Sequence, residues 1–333
     1  MRNTNRKRIV NCLSLLFLLM GISIAFFAFI NLRETDHQKT DGGSGDDRLV
    51  VGYVKLPETS EWWDEFNASL KEEAEKQNMH ILEAAAEWDQ ESVADAIRTL
   101  IVYQVDAIVF CPVVSGGWDY VLTEARNAQI PVFTFLNELT TEVQNSIVGT
   151  VTEDIEAEGT EIIAYIDTLY EKEKHPVNLI IFGDAVGAPR SIALNSEIRK
   201  ITRTGVGDDR RGSVCYSVNI GQNYNRAYEV ADRYAESSYQ KKKPDLIICF
   251  NDVSVYAVVD AFREHNIDVG GEVRILSLQD SSAVNLLYES GVVNALFRSE
   301  HNMGGTIIAE VDAYLKDGRT SGERILSSEL VKP

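Results

Sequence analysis

From residue 48 onward, short apolar runs alternate with stretches in which apolar residues recur every three or four positions. The run Leu49–Leu56 is typical of a buried strand, and Glu61–Gln77 places Trp62, Phe66 and Leu70 on one face of a helix. This alternation continues to about residue 150 and then starts again. Buried Val, Ile and Leu runs separated by helices predict parallel sheets with helices on both faces. The predicted fold class is therefore α/β, with two doubly wound parallel-sheet lobes.

The other predicted strands share short cores of aliphatic residues, and a helix is predicted after most of them. They are His80–Ala86, Ala107–Phe110, Val132–Phe135, Ser146–Val148, Val177–Phe182, Val214–Val218, Leu246–Phe250, Val273–Leu278 and Val292–Phe297. Ligands of such sheets bind at the carboxyl ends of the strands. Candidate site residues are therefore sought at the strand ends.

The N-terminus carries a run of 19 residues without charge, Cys12–Ile30, behind the basic residues Arg2, Arg6, Lys7 and Arg8. This length is enough to cross a bilayer as a helix. An uncleaved membrane anchor is favoured over a cleaved signal peptide, because the run has no good cleavage site, and both remain open. The basic flank would stay in the cytoplasm, so the rest of the chain would face outward at the cell membrane.

The chain therefore divides into three predicted segments. Residues 1–32 form the anchor or signal segment, residues 33–47 (RETDHQKTDGGSGDD) a flexible polar tether, and residues 48–333 the folded domain.

Composition excludes several classes of function. With 32 Lys and Arg against 51 Asp and Glu, the net charge of −19 opposes binding to nucleic acid. The five His and four Cys residues show no metal-ligand spacing, so we expect neither a metal nor another cofactor. No phosphate-binding loop, GxSxG elbow or HExxH motif is present, so we expect no enzymatic activity.

Four segments occur in an order that is similar to a known family. They are LPETSEWWDEFNASLKEEA, DAIVFCPVVSGGWDYVLTEARNAQIPV, GDAVGAPRSIALNSEI and DLIICFNDVSVYAVVDAF. Together they resemble the type I periplasmic binding proteins, the ribose-binding sugar family in particular, over about residues 48–333. The resemblance implies a three-crossing hinge between the lobes. Lobe one would hold about 48–150 and 299–325, and lobe two about 151–298 and 326–333.

The same resemblance implies a sugar site in the cleft between the lobes. Aromatic residues would stack on the sugar and planar polar groups would bind its hydroxyls. The implied ligand-binding residues are Trp62, Trp63, Trp118, Asn137, Arg190, Tyr224, Asn251, Gln279 and Arg298. Alternative structural roles remain open for four of them: Trp62 in the helix core, Trp118 as a helix staple, Arg190 as a solvated helix start and Arg298 turned outward at the hinge.

The chain departs from the family at three of these positions. Leu136-Asn137 replaces an Asp-Arg pair, Gln279 replaces an Asp, and Arg298 replaces a Gln. If Arg190 and Arg298 both enter the cleft, an anionic sugar derivative is favoured; if Arg298 turns outward, a neutral sugar is. The expected partner is an ABC-type permease, with a histidine kinase or other membrane receptor as the alternative.

Overall fold

The computed structural model describes residues 48–57, 60–139, 146–203, 211–299 and 302–332. The expected membrane anchor and tether, residues 1–47, lie outside these described residues. Within the described ranges, no helix is long and apolar enough to cross a membrane.

The described residues form twelve strands and nine helices. In chain order the strands are β1 Leu49–Lys55, β2 Met79–Ala85, β3 Ala107–Phe110, β4 Val132–Phe135, β5 Ile147–Glu153, β6 Val177–Gly183, β7 Gly212–Asn219, β8 Leu246–Cys249, β9 Arg274–Ser277, β10 Ala295–Ser299, β11 Glu323–Leu326 and β12 Ser328–Val331. The helices are α1 Glu61–Lys76, α2 Gln90–Tyr103, α3 Asp119–Asn127, α4 Ile155–Glu173, α5 Pro189–Arg203, α6 Tyr224–Ser237, α7 Asp252–Glu264, α8 Ser282–Glu289 and α9 Met303–Asp317.

The strands form two six-stranded sheets, which confirms the prediction of two α/β lobes. Lobe one has the order β11-β5-β4-β3-β1-β2, and all its strand pairs are parallel. Lobe two has the order β12-β10-β9-β8-β6-β7 and is parallel except at the edge, where β12 runs antiparallel to β10.

Both faces of the lobe-two sheet are buried, because successive strand residues pack into clusters on opposite sides. Ile180 and Ile247 belong to one apolar cluster, whereas their neighbours Ile181 and Ile248 belong to another on the opposite face. Side chains along a strand point alternately to the two faces. The continuous apolar runs of the sequence are therefore accounted for by helices on both sides.

The chain passes between the lobes three times: after β5, after β10, and between β11 and β12. The first crossing follows Glu153 rather than residue 150, because β5 continues in the lobe-one sheet through Thr150 and Thr152. These polar positions hid the second half of the strand in the sequence pattern. The C-terminal segment supplies strands to both sheets, β11 to lobe one and β12 to lobe two.

Helices α1 and α9 of lobe one pack closely at Gly304. A Cβ atom added there would lie 2.5 Å from the Phe66 carbonyl oxygen and 2.9 Å from the Leu70 nitrogen, both backbone atoms of α1. Neither atom can move without displacing a helix. Only a glycine therefore fits this crossing.

We expect Gly304→Ala to lower the free energy of unfolding by about 1–3 kcal/mol through overpacking. The neighbouring Gly305 is a matched control, since a Cβ there would meet nothing closer than 3.8 Å. Gly305→Ala should be neutral or slightly stabilising, because alanine is the better helix former. Chemical denaturation measures both effects, and equal stability of the two variants would contradict the close packing.

Candidate ligand-binding cleft

The first turn of α1 brings two tryptophans to the cleft side of lobe one. Ser60 caps the helix by accepting a hydrogen bond from the Trp63 nitrogen. Trp63 is 1% exposed and packs edge-on against Trp88, with ring centroids 5.1 Å apart. Trp62 is half-buried and stacks on Phe66 at 5.8 Å. Trp63 therefore belongs to the lobe core, while Trp62 keeps part of its ring accessible.

Asn251 and Gln279, at the ends of β8 and β9, meet around Asp252. Asn251 caps α7, its Oδ1 accepting from the Ser254 nitrogen at 2.9 Å. The Asp252 nitrogen donates to Gln279 Oε1 at 3.3 Å. The Asp252 carboxylate in turn accepts a hydrogen bond from the Trp62 backbone nitrogen at 3.1 Å. Trp62 of lobe one is thereby joined to two candidate residues of lobe two.

Asn137 makes a second link between the lobes. The preceding Leu136 has a φ of 65°, so the chain turns sharply after β4. Asn137 Nδ2 donates to the Pro112 carbonyl oxygen at 2.9 Å, and its Oδ1 accepts from the Arg190 nitrogen at 3.2 Å. The amide therefore connects the strand ends of lobe one to the start of α5 in lobe two.

The Arg190 guanidinium is buried in a cluster of carboxylates, with the side chain 2% exposed. Its Nη2 lies 2.8 Å from Glu153 Oε2 and 3.1 Å from Glu158 Oε2, and it donates to the Leu278 carbonyl oxygen at 3.2 Å. The Ser328 hydroxyl donates to Glu158 at 3.0 Å. Glu153 lies at the first hinge crossing and Ser328 at the last. The cluster therefore ties two crossings together.

Burial and ion pairing shift the pKa values of these carboxyls in opposite directions. Burial raises the pKa of Glu158 to about 7, although the Arg190 charge opposes the shift. Burial likewise raises the pKa values of Glu153 and Asp184. Burial would lower the pKa of Arg190, but the Glu153 and Glu158 carboxylates outweigh it and raise that pKa, so the guanidinium stays charged.

Glu153, Glu158 and Asp184 were not identified as site residues from the sequence, although Asp184 lies in the strand-end loop GDAVGAP. Asp184 accepts a 2.6 Å hydrogen bond from Asn251 Nδ2 and so belongs to the same inter-lobe network. No motif marks these acids, because their proximity to Arg190 depends on how the hinge crossings fold together. The short GDAVGAP loop, which ends beside Arg190, was the nearest indication.

An open hollow of about 250 Å³ lies between the lobes on the hinge side. Trp62 and Phe66 line it with aromatic rings, and Glu65, Glu153 and Asp280 line it with carboxylates; the remaining lining residues are Ser299, Asn302, Met303 and Gly304. Burial raises the pKa of Asp280 to about 6. Flat apolar rings together with hydrogen-bond acceptors suit a ligand with C–H faces and many hydroxyl donors.

Three candidate residues lie apart from this network. Trp118 is fully buried in lobe one, where its Nε1 donates to the Val114 carbonyl oxygen at 2.8 Å. Tyr224 is 38% exposed, and its hydroxyl donates to Asp260 of the neighbouring helix α7 at 2.7 Å. These contacts match structural roles for both side chains.

Arg298 is exposed on β10, and its Nη2 donates to Asn285 Oδ1 at 2.8 Å. Leu296 and Phe297 are buried on opposite faces of β10, so the exposure of Arg298 reflects its position near the end of the strand, where helix cover ends. Arg298 is not among the residues that line the hollow described above, although its charge lowers the pKa of Asp280, which does line it.

Comparison with known proteins places this geometry in context. A relative at 27% identity over 281 residues is the galactofuranose-binding protein YtfQ of Escherichia coli (strain K12); the match covers 81% of this chain and 83% of the relative. The crystal structure of a galactofuranose-binding protein superposes with a TM-score of 0.78 at 25% identity, covering 86% of this chain and 95% of the other.

The periplasmic binding protein of the arabinose ABC transporter from Shewanella sp. ANA-3 shares the fold, with a TM-score of 0.76 at 22% identity over 85% of this chain and 92% of that one. A family model, described as a periplasmic binding protein domain, matches residues 51–320, which include most of both sheets and the first two hinge crossings. The chain therefore belongs to the periplasmic binding protein family.

Proposed function

We propose that the chain captures a neutral monosaccharide, in its furanose form, between the two lobes and passes it to an ABC-type transporter. As a member of its family it is an extracytoplasmic solute-binding protein and not an enzyme. The observation that carries the ligand class is the hollow beside Trp62, which aromatic rings and carboxylates line together. The furanose form is supported by the similarity to galactofuranose-binding proteins.

Charge favours a neutral ligand over an anionic one. Glu65, Glu153 and Asp280 all face the hollow, whereas Arg298 lies outside it. An anionic sugar would add a negative charge beside carboxyls that burial already makes hard to ionise. A neutral sugar can instead donate its hydroxyl hydrogens to these oxygens.

Trp62 and Arg190 are the proposed principal contacts, supported by their places in the inter-lobe network. Trp62 offers a ring face next to the acids. Within the described part of the chain, Arg190 Nε is buried and has no hydrogen-bond partner, so a donor remains for a sugar oxygen. Asn137, Asn251 and Gln279 are proposed to act beside them, since each is joined to Trp62 or Arg190 by the contacts above.

We expect D-galactose and L-arabinose, whose solutions contain furanose forms, to raise the melting temperature of the protein, and D-galacturonate not to. Trp62→Ala should weaken sugar binding by about tenfold or more, because the stacking surface is lost. Tyr120→Ala is the control, since that ring is 72% exposed on α3. Thermal shift followed by calorimetric titration measures both effects, and stabilisation by acidic sugars alone would overturn the proposed ligand class.

We further propose that the N-terminal segment stays uncleaved and anchors the protein at the outer face of the cell membrane. The uncharged run Cys12–Ile30 behind a basic flank supports this. N-terminal sequencing of protein extracted from membranes should begin within the first few residues. A start near Phe26 or later would instead show a cleaved signal peptide.

An anchored protein on a short tether reaches only partners close to the membrane. A permease lies within this distance. A membrane sensor kinase does as well, so the short tether is also compatible with the alternative role of presenting ligand to a kinase. Sugar uptake that is lost on deletion of the chain and restored by its full-length form would support transport. Unchanged uptake with lost sugar-dependent signalling would support the sensor.

A further inference from the structure

The first turn of α1 in lobe one lies against the N-terminus of α8 in lobe two. Glu61 Oε2 accepts a hydrogen bond from the Ala283 nitrogen at 2.6 Å. Glu65 Oε1 accepts from the Ser282 nitrogen at 3.0 Å and from the Ser282 hydroxyl at 2.5 Å. Two carboxylates one helical turn apart on α1 thus bind two successive backbone amides of α8.

These amides belong to the end of a helix that needs partners from outside it. The first N–H groups of an α-helix have no acceptor within the helix and carry a partial positive charge. Ser281 caps α8, and its hydroxyl oxygen accepts a hydrogen bond from the backbone nitrogen of Val284. The amides of Ser282 and Ala283 are satisfied by carboxylates of the opposite lobe.

We propose that Glu61 and Glu65 are positioning residues that set ligand affinity by holding the two lobes closed through the first turn of α8. We call this set of contacts the α1–α8 clasp. Its role in affinity rests on the proposed sugar-binding function, whereas its effect on lobe closure does not. Glu61 does not line the hollow, so it acts through closure alone; Glu65 lies at the edge of both the hollow and the clasp.

Opening of the hinge would separate the two helix ends. The carboxylates and the amides would then be hydrated, and the attraction between the acids and the α8 dipole would be lost. Affinity in a two-lobed binding protein scales with the population of the closed form. The clasp therefore raises affinity without a contact between Glu61 and the sugar.

Replacement by glutamine keeps an oxygen acceptor but removes the charge. We expect Glu61→Gln to weaken binding of L-arabinose or D-galactose about threefold, and the double variant Glu61→Gln/Glu65→Gln about tenfold, mainly through faster dissociation. Hydrogen exchange measured by mass spectrometry on the full-length protein should show faster exchange of the Ser282 and Ala283 amides in both variants. Glu75→Gln, on an exposed position of the same helix, controls for the change in net charge and should match the wild type.

The exchange measurement separates the clasp from the sugar-binding proposal. If neither sugar binds, the proposed ligand class fails, but faster exchange of the α8 amides in the unliganded double variant still supports the clasp. Unchanged exchange and unchanged dissociation in Glu61→Gln would overturn the clasp. Weaker binding by Glu65→Gln alone, with wild-type exchange, would also overturn the clasp and leave Glu65 only the role of sugar acceptor proposed above.

Discussion

Replacement of Arg190 with Ala is expected to lower the free energy of unfolding by about 3–5 kcal/mol, the usual effect of removing one partner of a buried ion pair. The guanidinium lies 2.8 Å from Glu153 and 3.1 Å from Glu158, and all three side chains are buried. Without Arg190, these carboxyls would have to protonate or remain charged without a counter-ion. Denaturant unfolding near neutral pH measures the loss.

Two further variants test whether the loss of stability comes from the buried ion cluster. Arg199→Ala, on an exposed position of the same helix, should change stability little. Arg190→Met combined with Glu153→Gln and Glu158→Gln should recover much of the lost stability, because no uncompensated charge is left. Equal stability of Arg190→Ala and Arg199→Ala would show that the buried ion cluster contributes nothing to the folded state.

Arg190 therefore has a structural role beside the ligand-binding role that the family resemblance implies. A ligand arginine would direct its donors into the cleft, whereas here Nη2 is occupied by two carboxylates and the Leu278 carbonyl oxygen. Nη1 donates to the Phe250 carbonyl oxygen at 3.5 Å, while Nε has no hydrogen-bond partner among the described residues and can donate to a ligand. Arg190→Ala should therefore reduce both stability and sugar affinity, and affinity must be measured at a temperature where the variant is fully folded.

The two-lobed fold could be predicted from the sequence because its strands are buried on both faces. Leu246–Phe250 is apolar throughout and Val177–Phe182 is interrupted only by Asn178, as strands covered on both faces require. Strand β5 was underestimated because Gly149, Thr150 and Thr152 interrupt its apolar pattern. Strand β11 was not predicted, since its pairing with β5 is a long-range contact that leaves no local pattern.

The cleft could be predicted only in part. Strand ends showed where to look, because the carboxyl ends of parallel strands converge in this fold, and the family resemblance implied Trp62, Asn137 and Asn251 there. The exposure of a side chain was harder to predict: Arg298 lies near the end of β10, just beyond Leu296 and Phe297, which are buried on opposite faces. The carboxylates around Arg190 come from a strand end, a helix and a loop, so their convergence depends on the tertiary structure.

Stability should fall as the pH rises from about 4.5 to 7, owing to Glu158. Burial raises the pKa of this carboxyl to about 7 in the folded protein, from an ordinary value of 4.5. Over that interval the folded state binds more protons than the unfolded chain, so the free energy of unfolding decreases with increasing pH. The pKa shift corresponds to a decrease in the free energy of unfolding of at most roughly 3 kcal/mol.

Glu158→Gln removes this titration. At pH 4.5, where Glu158 is protonated, the variant should match the wild type closely; at pH 8 it should be more stable by up to roughly 3 kcal/mol. Subtracting the free energy of unfolding of the wild type from that of the variant removes the contribution of groups that titrate in both proteins. Asp280 is one of them, and its raised pKa also makes stability fall with increasing pH. Denaturant midpoints measured from pH 4.5 to 8 test this, with Glu156→Gln as the control on an exposed position of the same helix. A stability difference that does not change with pH would show that Glu158 is ionised throughout, held by Arg190 more strongly than its burial opposes.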